Sequence, residues 1–322
     1  MICDPEIETF FAHVQREMSA RFAATGGLSV EERRQRAEDY ATLTAEPDPA
    51  ELRSRQLYIG LPGREIPVLV HRPESTAPLP TILFFHGGSF VAGSPQSHHF
   101  ISASIAHNTG AQVISVHYRR APENPYPAPL EDCYAALLWA VAQAGPLGID
   151  TTRMAVAGDS AGGNLAAACT LLVRDRGGPA LRHQALIYPG LGGGSGTPSF
   201  QTHHDDLFLK PAGILFSQKA YLGEAMTAPD DYAAPLAASS LAGVPPAYIL
   251  AAELDPLHDD GRLYAEKLQA HGVAATMRTA PGMVHGFVRA RRWSQVAERE
   301  FQVLCAAIRE ALELPVPRTR RW

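Results

Sequence analysis

The chain has 322 residues, 46% of them hydrophobic and 19% charged, and its 28 basic and 33 acidic side chains give a net charge of −5. Such a composition builds one large globular domain with a minor appendage and excludes an intrinsically disordered chain. No basic block is long enough to neutralise a phosphate backbone, so a nucleic-acid partner is not expected, and no apolar stretch approaches the length of a membrane span.

Cys3, Cys133, Cys169 and Cys305 are dispersed without C-x-x-C spacing. Neither a zinc knuckle nor a disulfide framework is expected, and a reducing compartment is the plainer reading. The acidic start, Met1 to Glu6, lacks the basic segment and apolar run of a secretory signal, and a cytoplasmic location is the expectation.

Residues 1 to about 50 carry Phe10, Phe11, Val14, Met18 and Phe22 at helical spacing, then the polar segment Glu31 to Asp39, then the Pro47-Asp48-Pro49 break. One or two amphipathic helices before the main core are predicted. From Gln56 onward, short apolar runs alternate with turn residues and longer helical segments. The runs are Gln56 to Gly60, Ile66 to His71, Thr81 to His86, Gln112 to His117, Arg153 to Gly158, Gln184 to Tyr188, Pro246 to Ala252 and Ala274 to Thr279. Helical segments are predicted at Pro129 to Gln143, Ala161 to Asp175, Asp259 to His271 and Trp293 to Leu314. Buried strands alternating with helices imply an α/β fold whose mostly parallel eight-stranded sheet is covered on both faces, its first two strands forming a hairpin. The interval from Gly190 to about Ala228, with glycine-rich Gly192 to Gly196 and a helix from about Pro211 to Tyr221, reads as an insertion over one edge of the sheet. No repeat of solenoid or propeller period is present.

The sharpest chemical signal is Gly158-Asp159-Ser160-Ala161-Gly162 between a strand-like and a helical segment. Glycines two before and two after the serine allow a tight turn that lifts its hydroxyl above the sheet, and the helix N-terminus behind it favours developing negative charge. Ser160 is the candidate nucleophile. An unassisted serine is a poor one, so a base and an orienting acid are required, in the chain order Ser, acid, His. The acid should follow a late strand. Asp255 is chosen, with Glu253 as the alternative, because both lie at the C-terminal end of the Pro246 to Ala252 run; a carboxylate there could also merely cap the next helix. His285, on a loop before the final helix and 30 residues beyond Asp255, is the candidate base among 13 histidines. His271 reads instead as a helix cap, and His107 and His117 as ordinary surface or core residues.

Phe84-Phe85-His86-Gly87-Gly88-Ser89-Phe90 is an apolar strand emptying into a glycine-rich loop. Backbone N–H groups in such a loop reach the oxyanion of a tetrahedral intermediate together with the N–H after the nucleophile, here Ala161, and losing one donor costs about 2.7 to 4 kcal/mol in the barrier. His98-His99 and His203-His204-Asp205-Asp206 contain metal-ligand residue types, but adjacent residues seldom share one coordination sphere. No metal site is expected. Gly192 to Gly196 fits neither a P-loop nor a dinucleotide fingerprint, so it reads as a flexible loop and no cofactor is expected. Arg318-Thr319-Arg320-Arg321 is a short solvated tail.

Taken together, these residues resemble the hormone-sensitive lipase family of esterases, bacterial family IV, of the α/β-hydrolase fold. The resemblance runs from about Thr81 to Phe287: the Tyr118-Arg119-Arg120-Ala121-Pro122-Glu123 segment, the Gly158 to Asn164 elbow, the Asp255-Pro256-Leu257-His258-Asp259-Asp260-Gly261 acid motif and His285-Gly286-Phe287. It implies Ser160 as nucleophile, His285 as general acid and base, Asp255 as the group that fixes the imidazole, and Gly88, Ser89 and Ala161 as oxyanion donors, with Gly87 supplying the bend. Ser89 stands where the family has a third glycine, and at positive φ it would strain the loop. His258 stands where the family often has arginine, a difference expected to alter only a surface contact. Glu123 and Asp132 are expected to be structural.

The resemblance further implies a helical cap made of residues 1–50 and the insertion at about 190–228, set on a catalytic domain of residues 51–322. Phe90, Asp159, Phe208, Leu209, Leu215, Phe216 and Val288 are the implied substrate-binding candidates. It also implies hydrolysis of short to medium acyl esters of small molecules without a cofactor, and pairing of two copies through an edge strand near the last helix. Amide or formamide cleavage or acyl transfer by the same triad, and a non-catalytic binding member of the fold, are the alternatives.

Overall fold

A computed structural model describes residues 3–21, 28–45, 47, 49, 51–204, 207–223 and 230–315. Phe22, Asp48, Asp205, Asp206, the Ala228 end of the insertion and the Arg318 to Arg321 tail lie outside the described residues.

Two helices precede the sheet, α1 (Pro5–Arg21) and α2 (Val30–Leu43). Ile7, Phe10, Phe11, Val14 and Met18 bury one stripe of α1, as their three- and four-residue spacing requires. A capping box starts α2: the Ser29 hydroxyl accepts from the Glu32 N–H, and the Glu32 carboxylate accepts from the Ser29 N–H.

The eight strands are β1 (Leu52–Leu61), β2 (Arg64–Pro73), β3 (Leu79–Phe85), β4 (Gln112–Val116), β5 (Ile149–Asp159), β6 (His183–Ile187), β7 (Ala247–Ala252) and β8 (Ala275–Ala280). They form one sheet in the order β1-β2-β4-β3-β5-β6-β7-β8. β1 and β2 are an antiparallel hairpin and β2 is antiparallel to β4; every other pair is parallel. All eight predicted runs are strands, with β1, β2 and β5 each four or five residues longer than its run. The order changes direction at β3, which lies between β4 and β5, and such a switch point leaves a crevice at the carboxyl ends of the strands. Phe85 pairs with Gly158 there, so the chain leaves β3 and β5 side by side.

The remaining helices are α3 (His99–Thr109), α4 (Ala128–Ala142), α5 (Ala144–Leu147), α6 (Ala161–Asp175), α7 (Pro198–Thr202), α8 (Pro211–Leu222), α9 (His258–Ala270) and α10 (Gln295–Ala311). Alternation along the strands divides the core between the two faces. Leu83 and Phe85 pack with Leu137 of α4, Leu165 of α6 and Tyr264 of α9. Ile82 and Phe84 pack with Phe10 of α1, Ile105 of α3 and Leu304 of α10. The sequence did not predict α3: Phe100, Ile101, Ser102, Ala103, Ile105 and Ala106 are all buried, so it presents no apolar stripe against a polar one. The last helix begins at Gln295 rather than Trp293, because the Ser294 hydroxyl accepts from the Ala297 N–H as its cap.

Between β6 and β7 the chain makes the insertion. The glycine-rich loop that opens it is tied down at its start: one Asp260 carboxylate oxygen accepts the N–H groups of Leu191, Gly192 and Gly193 at 2.7, 3.0 and 3.1 Å. Asp259 accepts from the Ser199 N–H at 2.9 Å. The insertion meets the N-terminal helices through Phe208, whose ring centroid lies 5.6 Å from Phe11 and 5.3 Å from Tyr40, and through the Arg33 guanidinium 4.0 Å over the Phe216 ring.

Candidate active site

Ser160 stands at the turn between β5 and α6 with φ 55° and ψ −117°, a conformation an L-residue adopts only under constraint. The constraint comes from crossing backbones. A Cβ at Gly158 would collide with the Gly162 carbonyl, and one at Gly162 with the Phe85 carbonyl oxygen. The Ser160 N–H donates to the Ile187 carbonyl at 2.9 Å, fixing the turn against β6.

Asp255 follows β7, and His285 follows β8 on the turn that enters the short 3-10 helix Phe287–Ala290. His285 Nε2 lies 2.9 Å from Ser160 Oγ, and His285 Nδ1 lies 2.7 Å from Asp255 Oδ2. Asp255 is 0% and His285 3% exposed, so water barely competes for either contact. The other Asp255 oxygen accepts from the Leu257 N–H at 2.8 Å. A carboxylate fixed in this way holds the proton on Nδ1 and leaves Nε2 as an acceptor for the serine hydroxyl. Between the two sequence candidates for the acid, only Asp255 faces the imidazole; Glu253 instead accepts from the Gly282 N–H at 2.7 Å. His271 caps α9, its Nδ1 2.8 Å from the Lys267 carbonyl.

The loop after β3 bends back with three successive positive φ values: Gly88 at 118°, Ser89 at 60° and Phe90 at 61°. The bend therefore lies one residue later than expected from Gly87. The Gly87 N–H also faces away from an oxyanion, because it donates to Asp159 Oδ1 at 2.9 Å. Among the described residues no acceptor engages the N–H of Gly88, Ser89 or Ala161. The loop is braced from below: the Tyr118 hydroxyl donates to the His86 carbonyl at 2.6 Å and its ring stacks on the His86 ring at 4.2 Å. It is braced from the side by Arg34, which donates to the Val91 and Ala121 carbonyls and to both Glu123 oxygens. Asp132 accepts from Arg64 and Arg119.

The substrate-binding candidates divide. Phe208 lies above the imidazole, ring centroids 6.3 Å apart and 16° from parallel, and Leu209 beside it is half-buried. Phe90 is buried in a stack on Tyr221 with centroids 3.7 Å apart. Phe216 lies under Arg33, and Leu215 is exposed. Two candidates are corrected. Val288 is completely buried among core residues, because the phase of its 3-10 turn points it inward. Asp159 is buried too, and its carboxylate turns down to the Gly87 N–H and His98 rather than out to a ligand.

Sequence reasoning missed Tyr188 and Arg289. Tyr188, at φ 33°, sets its ring 4.7 Å from that of His285; its place just beyond β6, at the carboxyl edge of the sheet, was the available signal. Arg289 is buried beside His98, and no local motif marks it. Among the described residues no group of three His, Cys, Asp or Glu side chains is arranged to hold a metal ion.

A family described as alpha/beta hydrolase fold matches residues 82–289. Carboxylesterase NlhH of Mycobacterium tuberculosis is 38% identical over 296 residues, covering 89% of this chain and 90% of its own. The ethyl acetate hydrolase of Pseudomonas putida is 32% identical over 318 residues, covering 97% and 100%. Among solved structures, a hyperthermophilic esterase from Pyrobaculum calidifontis superposes with a TM-score of 0.87 at 32% identity, covering 96% of this chain and 99% of that one. With the motifs in family order and the match spanning most of the sheet, the chain belongs to the hormone-sensitive lipase family of the α/β-hydrolase fold.

Proposed function

We propose that this protein is a serine carboxylesterase that cleaves short to medium acyl esters of small molecules, with Ser160, His285 and Asp255 as its triad. The observation that carries the reading is the unbroken line from Ser160 Oγ through His285 to Asp255, at 2.9 and 2.7 Å, beside three N–H groups with no acceptor among the described residues. His285 Nε2 takes the hydroxyl proton as Ser160 Oγ attacks the ester carbonyl. The carbonyl oxygen becomes an oxyanion held by the N–H groups of Gly88, Ser89 and Ala161, and Asp255 stabilises the imidazolium. His285 then gives the proton to the departing alcohol oxygen, leaving an acyl group on Ser160. Water attacks that acyl carbonyl, His285 again taking and returning the proton, and the acid leaves.

Residues 1–50 and the insertion at about 190–228 serve as the cap over a catalytic domain of residues 51–322. Support comes from the packing of Phe208 on Phe11 and Tyr40, which ties the two cap segments together above the imidazole. A cytoplasmic location is supported by the four dispersed cysteines, and pairing of two copies by the edge position of β8.

The test is a profile of kcat/KM across p-nitrophenyl esters of increasing acyl length, with the matched anilide alongside. The expected outcome is efficient ester cleavage that falls beyond medium chains, with the anilide far slower. An anilide cleaved as fast as its ester would replace the reading by amide hydrolysis, and no turnover of any ester would remove it.

A further inference from the structure

Asp159, His98 and Arg289 come from three distant segments and meet as one buried polar cluster beneath the oxyanion loop. Asp159 Oδ1 holds the Gly87 N–H at 2.9 Å, and Gly87 sits so close that a Cβ on it would meet Asp159 Oδ2 at 2.5 Å. His98 Nε2 lies 3.5 Å from that second oxygen. Arg289 donates through Nη2 to His98 Nε2 at 2.9 Å and through Nη1 to the Ser97 carbonyl at 3.1 Å. Its guanidinium also faces the rings of Tyr40 in α2 and Phe100 in α3, at 5.0 and 5.3 Å.

All three side chains are less than a tenth exposed. A buried carboxylate or guanidinium is stable only if compensated, and removing either partner leaves the other uncompensated. Burial and the neighbouring guanidinium hold His98 below its usual pKa, so the imidazole is neutral. It accepts from Arg289 at Nε2 and carries its proton on Nδ1, 3.0 Å from Ser97 Oγ; the 3.5 Å approach of Nε2 to Asp159 is then a packing contact, and Arg289 acts on Asp159 by its charge. Arg289 is thus the buried positive charge that balances Asp159, with the imidazole set between them. Nothing in the triad or the oxyanion contacts described above uses Arg289 or His98.

Arg289 follows His285 by four residues, on the 3-10 turn that begins where the base loop ends, its N–H donating to the Gly286 carbonyl at 3.0 Å. One guanidinium therefore joins the loop that carries the general base to the loop that carries the oxyanion donors. We propose that Arg289 and Asp159, opposite charges held on either side of His98, are positioning residues that set the height of the Gly87–Ser89 backbone relative to Ser160 and His285. This inference rests on the proposed ester hydrolysis. Neither residue touches the reacting atoms, and their effect is on where the N–H groups of Gly88 and Ser89 lie when the oxyanion forms. A misplacement of about 1 Å costs on the order of 100-fold in rate.

The experiment compares the wild-type protein with Arg289→Met, Arg289→Lys, Asp159→Asn and the Arg289→Met/Asp159→Asn double variant. For each, kcat and KM are measured on one p-nitrophenyl ester per folded molecule, along with the inhibition constant of a trifluoromethyl ketone, whose hemiketal oxygen occupies the oxyanion position. The expected result for Arg289→Met and Asp159→Asn is a fall in kcat of about 10- to 100-fold with KM within about 3-fold, and a parallel loss of ketone affinity. Arg289→Lys should recover part of the loss, and the double variant should lose less than the product of the single effects, because it leaves no lone buried charge. If Arg289→Met does not fold, Arg289→Lys and Asp159→Asn carry the same comparison. Variants that unfold more easily but keep wild-type kcat and ketone affinity overturn the proposal, as does a loss of kcat with ketone affinity unchanged. An inactive wild-type protein would instead sink the underlying esterase reading.

Discussion

Asp255 engages His285 Nδ1 with one carboxylate oxygen at 2.7 Å and the Leu257 N–H with the other at 2.8 Å. The two contacts fix the orientation of the carboxylate as well as its place, and this determines how an amide substituted there would sit. In Asp255→Asn the amide oxygen stays on the Leu257 N–H and the NH2 turns to Nδ1. That forces the imidazole proton onto Nε2, where it can no longer accept from Ser160. The expected fall in kcat is about 10⁴-fold with the fold intact, checked by steady-state kinetics and circular dichroism. A loss of less than about tenfold would contradict the assigned tautomer.

Ser89 holds φ at 60° in the loop after β3, so the strain foreseen for a side chain at that position is present. Left-handed backbone costs an L-residue about 1 to 2 kcal/mol, while glycine adds unfolded-state entropy worth about 0.4 to 1 kcal/mol. The variant Ser89→Gly should therefore be equally or more stable, by up to about 1.6 kcal/mol and read as an equal or higher urea midpoint, and keep its kcat because the N–H remains. A large loss of kcat would mean that the hydroxyl takes part in the reaction.

His183 opens β6 with neither ring nitrogen bonded to any described group, and burial lowers its pKa to about 4. Its ordinary value is near 6.5, so on falling pH the unfolded chain takes up a proton before the native one does. The stability held by keeping this ring neutral is complete above about pH 6.5 and declines as pH falls toward 4. Urea midpoints measured at several values between pH 7.5 and 4.5 should fall, and His183→Leu should shallow the slope. A slope unchanged by that substitution would assign the acid sensitivity elsewhere.

Phe208 is 43% exposed and its ring lies nearly parallel to that of His285, centroids 6.3 Å apart. Truncation to alanine removes an apolar wall from both ground and transition states. In Phe208→Ala, KM for p-nitrophenyl esters should rise about 3- to 10-fold with kcat nearly constant, and stability should fall by about 1 to 2 kcal/mol because the ring contacts with Phe11 and Tyr40 are lost. A KM that does not move would exclude contact between this ring and the substrate.

The central strands were legible because each contains a short apolar run ended by turn residues, and the elbow because two glycines around Ser160 lie between a strand and a helix. The proposed triad was read from chain order and from the carboxyl edge of the sheet. Two kinds of feature stayed hidden. α3 is buried nearly all round, so hydrophobic periodicity has no polar face to contrast with. Arg289 and His98 meet across 191 residues, and a contact assembled by topology leaves no spacing to read. Val288 shows the limit at a single residue, since only the phase of its turn decides whether it meets the pocket or the core.

The most direct measurement is the site of covalent modification by a fluorophosphonate, read by intact mass and peptide mapping. The account predicts a single adduct on Ser160, absent from Ser160→Ala and formed far more slowly in His285→Ala, with ester hydrolysis by Ser160→Ala reduced by about 10⁶-fold. An adduct at another residue, or undiminished hydrolysis by Ser160→Ala, would contradict it.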